Sequence, residues 1–88
     1  MVKLNQENTN FKIMNNYPLP KEKWQHYKGG QYEIICMCNH TETNEPLVIY
    51  KSLSFGSIYA RPFSEWYDSK KVEDGDYNYF TTRFVKIG

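Results

Sequence analysis

The run Gln31-Tyr32-Glu33-Ile34-Ile35-Cys36-Met37-Cys38-Asn39 constrains this chain more than any other segment. It is rich in β-branched and aromatic residues. Read as an extended strand, it puts Tyr32, Ile34, Cys36 and Cys38 on one face and Ile35 and Met37 on the other. A strand of this kind belongs at the centre of a sheet, so its neighbours have to supply partners on both sides. Upstream, Pro18 and Pro20 force extended backbone around Tyr17 and Leu19 and deliver the chain to Trp24-Gln25-His26-Tyr27 and the hairpin turn Lys28-Gly29-Gly30. Downstream, His40-Thr41-Glu42-Thr43-Asn44-Glu45-Pro46 is a loop of turn formers, and Leu47 to Leu53 is again strand-like, so the two flanking runs pair as an antiparallel hairpin.

A second turn, Ser54-Phe55-Gly56-Ser57, leads into Ile58-Tyr59-Ala60-Arg61, which Pro62 stops because it has no N–H to donate to a ladder. Phe63 to Asp68 is expected to form a helical turn. Ser69 to Asn78 is charged and without useful periodicity, and Tyr79 to Ile87 reads as a closing strand. The expectation is a mainly β fold: a small five-stranded, SH3-like, partly open barrel with a short helical turn after Pro62. A single domain over 17–88 follows a polar, Asn-rich lead-in over 1–16, in which only Phe11, Ile13 and Met14 are candidate anchors.

Composition matters because so short a chain has little core. A domain of this length buries only about 60% of the surface its unfolded form exposes, so its side chains have to be large. Eight Tyr, five Phe and two Trp supply that area while keeping polar handles. The formal net charge of +1 lacks the overall basic field that draws proteins onto DNA. No apolar run approaches the roughly 20 residues of a membrane span, and the N-terminus has no signal-peptide pattern, so a cytoplasmic location is expected. Cys36 and Cys38, one residue apart in a strand, are poorly placed for a bridge and are expected to be reduced and buried as small apolar side chains.

One ordered series of motifs resembles a known family. His26-Tyr27-Lys28-Gly29-Gly30-Gln31-Tyr32-Glu33-Ile34, His40-Thr41-Glu42-Thr43, Val48-Ile49-Tyr50, Arg61-Pro62 and Arg83-Phe84 look like the domain of unknown function 1653 family, from about Trp24 to Phe84. The chain departs from that pattern at Tyr59, where the family has Trp two residues before its Arg, and at Glu65, where a Met precedes the aromatic. The resemblance implies a small standalone barrel of bacteria and their viruses. It implies no reaction, so function has to be argued from residues.

Arg61 stands between a strand and Pro62, where its guanidinium could hold a planar anion; the competing reading pairs it with Glu42 or Glu65 to fix a turn. Lys28-Gly29-Gly30 sets a cation beside backbone N–H groups that could cradle phosphate, although most such sequences are plain hairpin turns. His26 and His40, near the two ends of the central strand, and Glu42 are candidates for contacts to a base or sugar; His40 to Thr43 reads equally as a loop bonded to itself. Tyr27, Tyr32, Tyr50, Tyr59, Trp66 and Phe84 offer faces for stacking, with Tyr50 and Trp66 beside Arg61 the favoured wall, though most of these rings are needed for the core. The family motif adds Arg83. Cys36, Cys38 and His40 project in parallel from a strand and its end, so no metal is expected.

No nucleophile with an orienting base and no carboxylate pair stands at a recognisable spacing, so no catalysis and no cofactor are expected. The reading is a non-catalytic, homo-oligomeric protein that captures a small anionic, nucleotide-derived ligand with Arg61 and Lys28 on phosphate. One form of it is a phage-encoded sponge, acting against host defence by sequestering an immune nucleotide signal. The alternative is an SH3-like interaction module that binds RNA, single-stranded DNA or a peptide.

Overall fold

Seven strands form in the computed structural model, which describes residues 16–88. They are β1 (Lys23–His26), β2 (Gln31–Asn39), β3 (Pro46–Ser52), β4 (Ile58–Pro62), β5 (Ser69–Asp74), β6 (Tyr77–Thr82) and β7 (Phe84–Lys86), with a 3-10 turn over Phe63–Glu65. Apart from Asn16, the lead-in lies outside the described residues.

The five-stranded sheet has the order β4-β3-β2-β1-β7, every pair antiparallel, and β5 and β6 form a separate two-stranded ribbon. The edge strands β4 and β7 do not pair with each other, so the sheet is open and not closed into a barrel. The central position of β2 and its hairpin with β3 are as the sequence reading has them.

Two expectations are corrected. The closing strand divides at Arg83, because the Arg83 N–H donates to the Asp68 carbonyl (2.9 Å) while its guanidinium grips the Asp68 carboxylate. That grip bends the chain, so Tyr77–Thr82 pairs with β5 and Phe84–Lys86 pairs with β1. The supposedly featureless segment contains a strand and a two-residue loop, Gly75-Asp76, where Gly75 takes φ +62°, as a glycine-first hairpin turn requires.

The second correction concerns the faces of β2. Ile34 pairs with Tyr50 but Cys36 pairs with Ile49, so Ile35 is an extra residue that reverses the alternation beyond it. Tyr32 and Ile34 face the core as expected, but after the bulge it is Met37, opposite Val48, that continues this face. Cys36 is left exposed and Cys38 half-buried, in place of the buried thiols expected.

The core lies on one face of the sheet. Trp24, Ile34, Val48, Tyr50, Trp66 and Phe84 are its buried apolar members, with Tyr32, Met37, Phe63 and Tyr67 packed around them. Trp66, at the end of the 3-10 turn, lies flat on Phe84 with ring centres 3.8 Å apart, and Tyr50 and Trp24 meet its ring edge-on at 5.2 and 5.6 Å. A thin core is thus built from interlocked rings, whose paired geometry adds about 0.5–1.5 kcal/mol per pair beyond area alone. Among the described residues no helix is long and apolar enough to cross a membrane.

Candidate functional site

Phe84 is the floor on which several sequence candidates meet. It begins β7 opposite His26, the last residue of β1, and the two rings touch edge to face at 4.9 Å. From β4, at the opposite edge of the sheet, the Arg61 guanidinium carbon lies 5.7 Å from the centre of the same ring. Tyr32 packs on Phe84 at 5.8 Å, and Tyr27 leans on His26 at 4.7 Å. Four strands therefore bring together residues from His26 to Phe84 that lie far apart in the chain.

Each cation has a distinct share of partners. The Arg61 Nε donates to the Tyr50 hydroxyl (3.1 Å) and its Nη1 to the exposed Glu65 carboxylate (3.2 Å). Both readings of Arg61 thus have a counterpart: Glu65, not Glu42, is its carboxylate, and that contact uses one nitrogen of the fork. Arg83 is committed more fully, with Nε and Nη2 each 2.8 Å from an Asp68 oxygen. This bidentate pair, joined by Lys70 at 3.4 Å, holds the Asp68 carboxyl down at about 2, and Asp68 in turn raises the Arg83 guanidinium. The Arg83 side chain holds the fold where β5 leaves it.

His26 registers the charge of the surroundings. Burial first, and then Arg61, Arg83, Lys28 and Lys70 in that order, hold its pKa below the ordinary 6.5. Four cations disfavour its charged form, although the carboxylates of Asp68 and Glu65 pair with three of them. The His26 Nδ1 accepts the Lys28 N–H at 3.1 Å, which leaves the proton of the neutral ring on Nε2 as a donor.

Other candidates fall differently. The Lys28-Gly29-Gly30 turn does not present free consecutive N–H groups, because Lys28 N–H bonds His26 Nδ1 and Gly29 N–H bonds the His26 carbonyl at 2.8 Å. Its exposed ammonium lies 5.7 Å from the Tyr27 ring centre and remains the usable part of the motif. His40 accepts N–H bonds from Glu42 (3.1 Å) and Thr43 (3.4 Å), so the loop is bonded to itself. His40 and Glu42 sit past the far end of β2, roughly 25 Å of strand from His26, and do not join the cluster.

The expected aromatic wall is also corrected. Trp66 is fully buried and Tyr50 nearly so, and both are needed to cover Phe84 and Ile34. The ring that stays uncovered on the same face is Tyr59, 45% exposed, tilted against Tyr50 at 5.6 Å and two residues before Arg61. Lys70 and Asp68 were not singled out in the sequence, since a charged run gives no sign of which members a bend will carry inward.

Two open hollows flank the cluster. One of about 430 Å³ lies beside Trp24, Tyr67, Glu22 and Lys86, and neither hollow is lined by Arg61, Arg83, Lys28 or Lys70. The other, about 210 Å³, is lined by His26 and Tyr27 together with Gln25, Val72, Tyr79 and Thr81. The second is smaller than the roughly 300–1,000 Å³ of ordinary ligand pockets.

Over residues 22–86 the chain matches the family model described as a protein of unknown function (DUF1653). The chain belongs to this family. A DUF1653 protein from Bordetella bronchiseptica has a crystal structure that is similar in fold, with a TM-score of 0.65 at 24% sequence identity, covering 85% of this chain and 92% of that one. No curated protein matches the chain. Within this DUF1653 domain the motif residues separate into two groups. His26, Tyr27 and Arg61 meet around the Phe84 ring with Arg83 next to it in the chain, while His40 to Thr43 close the loop past the end of β2.

Proposed function

We propose that this chain is a non-catalytic binding protein that captures a small anionic, nucleotide-derived ligand at the end of the sheet around His26. One observation carries the reading: Arg61 and His26, far apart in the chain, both lie against the Phe84 ring, and the exposed Lys28 ammonium stands over the neighbouring Tyr27 ring. Arg61 and Lys28 hold phosphate, and the His26 Nε2–H donates to a phosphate oxygen or to the base. Tyr59 takes over the stacking part first given to Tyr50 and Trp66, because its face is open and lies beside Arg61. Base stacking of this kind contributes about 1–3 kcal/mol without selecting sequence.

His26 suits binding better than proton transfer, since its surroundings disfavour the charged ring and Lys28 occupies its Nδ1. A shallow site shared between copies would enclose more of a ligand than the hollow of one chain, which supports a homo-oligomer. In a phage-infected bacterial cytoplasm such a protein would act as a sponge for an immune nucleotide signal, a task that needs affinity and abundance but no turnover.

Isothermal titration and thermal-shift screening against mono-, di- and cyclic nucleotides test this. The expected result is stabilisation by several degrees at saturating ligand, lost in Arg61→Ala. The rival reading, an SH3-like module for RNA, single-stranded DNA or a peptide, draws on the exposed rings of Tyr77, Tyr79 and Phe80 on the ribbon. Failure of every nucleotide to stabilise the protein, with salt-sensitive oligonucleotide binding in its place, would select that rival.

A further inference from the structure

β5 is bonded to β6 along one edge, and among the described residues nothing pairs with its other edge. Along that strand the sequence reads Lys70-Lys71-Val72-Glu73-Asp74, two cations and two carboxylates around one apolar residue. The order is its own complement. Laid antiparallel against a second copy about a two-fold axis at Val72, it sets Lys71 opposite the partner's Glu73, Lys70 opposite the partner's Asp74, and Val72 opposite the partner's Val72.

Other alignments lose this match. Moving the axis to Lys71 or to Glu73 puts like charges face to face at the centre, and parallel in-register pairing puts every charge opposite itself. Opposite charges directly across a strand pair stabilise it and like charges oppose it, so the pattern selects one orientation and one register.

A second observation points the same way. Tyr77, Tyr79 and Phe80 leave 77%, 51% and 71% of their surface exposed on this ribbon. A lone two-stranded ribbon is marginal in water, whereas three or more strands with an apolar face are not. Val72 pairs with Tyr79 and Lys71 with Phe80, so doubling the ribbon sets the two Val72 residues between two Tyr79 rings on one face. On the other face each crossed Lys71–Glu73 pair lies between a Phe80 ring on its lysine side and Asn78 on its glutamate side.

We propose that two copies of this chain form a symmetric dimer by pairing β5 with β5 about Val72, giving a continuous four-stranded sheet β6-β5-β5-β6. Such an interface is isologous, and a single self-complementary edge suffices for it. Because Val72 and Tyr79 also line the hollow beside His26, the pairing brings the two hollows side by side on one face. The inference goes beyond the ligand reading and does not rest on it.

Sedimentation equilibrium and native mass spectrometry of the full chain, without nucleotide, test the interface through its charges. Wild type is expected to dimerise, and Lys71→Glu and Glu73→Lys are each expected to weaken the dimer about tenfold or more, since each places like charges at both ends of the pairing. Mixing the two variants in equal amounts is expected to restore assembly as a 1:1 heterodimer, because one edge is then acidic and the other basic. Joining both changes in one chain restores the self-complementary order and the homodimer. A wild type that stays monomeric at millimolar concentration overturns the proposal, as does a dimer indifferent to both single changes or a mixture that does not assemble. Should either variant fail to fold, isotope-filtered NMR of mixed labelled and unlabelled wild type decides the matter. Contacts between Val72 methyl groups of two copies support the interface, and their absence in a sample shown to be dimeric refutes it.

Discussion

Trp66 and Phe80 are both large aromatic side chains, yet the sheet and the ribbon use them in opposite ways. Trp66 is sealed against Phe84, Tyr50 and Trp24 and joins a turn to three strands, while Phe80 stands in solvent on a strand with one neighbour. The sheet derives its stability from rings that cover one another. In the ribbon, the backbone ladder, the Gly75 turn and the Asp68–Arg83 pair at its base hold the strands, and its rings remain unused. Aromatic content alone therefore does not locate the core of a small domain; what decides is whether a ring has a second layer to meet.

The largest expected effect tests the sheet side. Trp66→Ala should cost about 3–5 kcal/mol, because it removes the ring that covers Phe84 and leaves a cavity in a core too thin to collapse around it. Urea unfolding monitored by circular dichroism would show a lower midpoint at unchanged slope. A loss under about 1 kcal/mol would mean that the rings are not the principal support of the sheet.

Next comes the joint between the two regions. The Asp68 carboxyl lies at about 2 in the folded chain, below its ordinary 3.8, so the unfolded chain takes up this proton first as pH falls. The ion pair's stabilisation is complete above the ordinary value and is lost as pH drops through about 2. Since both side chains are partly open to solvent, Asp68→Asn is expected to cost about 1 kcal/mol at neutral pH and to flatten the acid limb of the stability curve. An acid limb unchanged in Asp68→Asn would separate the ribbon's attachment from this pair.

A smaller effect sits at the cluster. His26 is held below 6.5 in the folded chain, so the unfolded chain protonates first there too; stability is full above that pH and falls below it. An anion bound among the surrounding cations favours the charged ring, so inorganic phosphate should raise the His26 pKa in an NMR titration of its ring protons. Arg61→Gln should raise it without phosphate by removing the largest unfavourable charge. Titration curves unmoved by either change would separate His26 from the cationic cluster.

What could be read in advance follows from how local each signal is. β2, β3 and β4 were legible because alternation and turn residues are properties of neighbours in sequence, and Pro62 ends a ladder wherever it stands. The bulge at Ile35 was not, because an extra residue shows only against a partner strand, and it moved Cys36 out and Met37 in. The ribbon was missed although Gly75-Asp76 lies between two short alternating runs, since the charges of Lys70 to Asp74 mask the apolar signal of Val72. At the site, Arg61, His26 and Lys28 were visible as residue types, whereas the exchange of Tyr50 and Trp66 for Tyr59 depends on which rings the core takes first.

The smallest effect is the sharpest test of the ribbon side. In a dilute sample, where any association is suppressed, Phe80→Ser should change stability by no more than about 0.5 kcal/mol, because the ring has no layer to lose and its opposite residue Lys71 is itself half in solvent. The same change should lower any tendency to associate at high concentration, since it removes an apolar ring from an open ribbon. Comparing thermal unfolding of wild type and variant at low and high protein concentration separates the two contributions. A drop above about 1 kcal/mol in the dilute sample would show that Phe80 is covered within one chain, and the contrast with Trp66 would then fail.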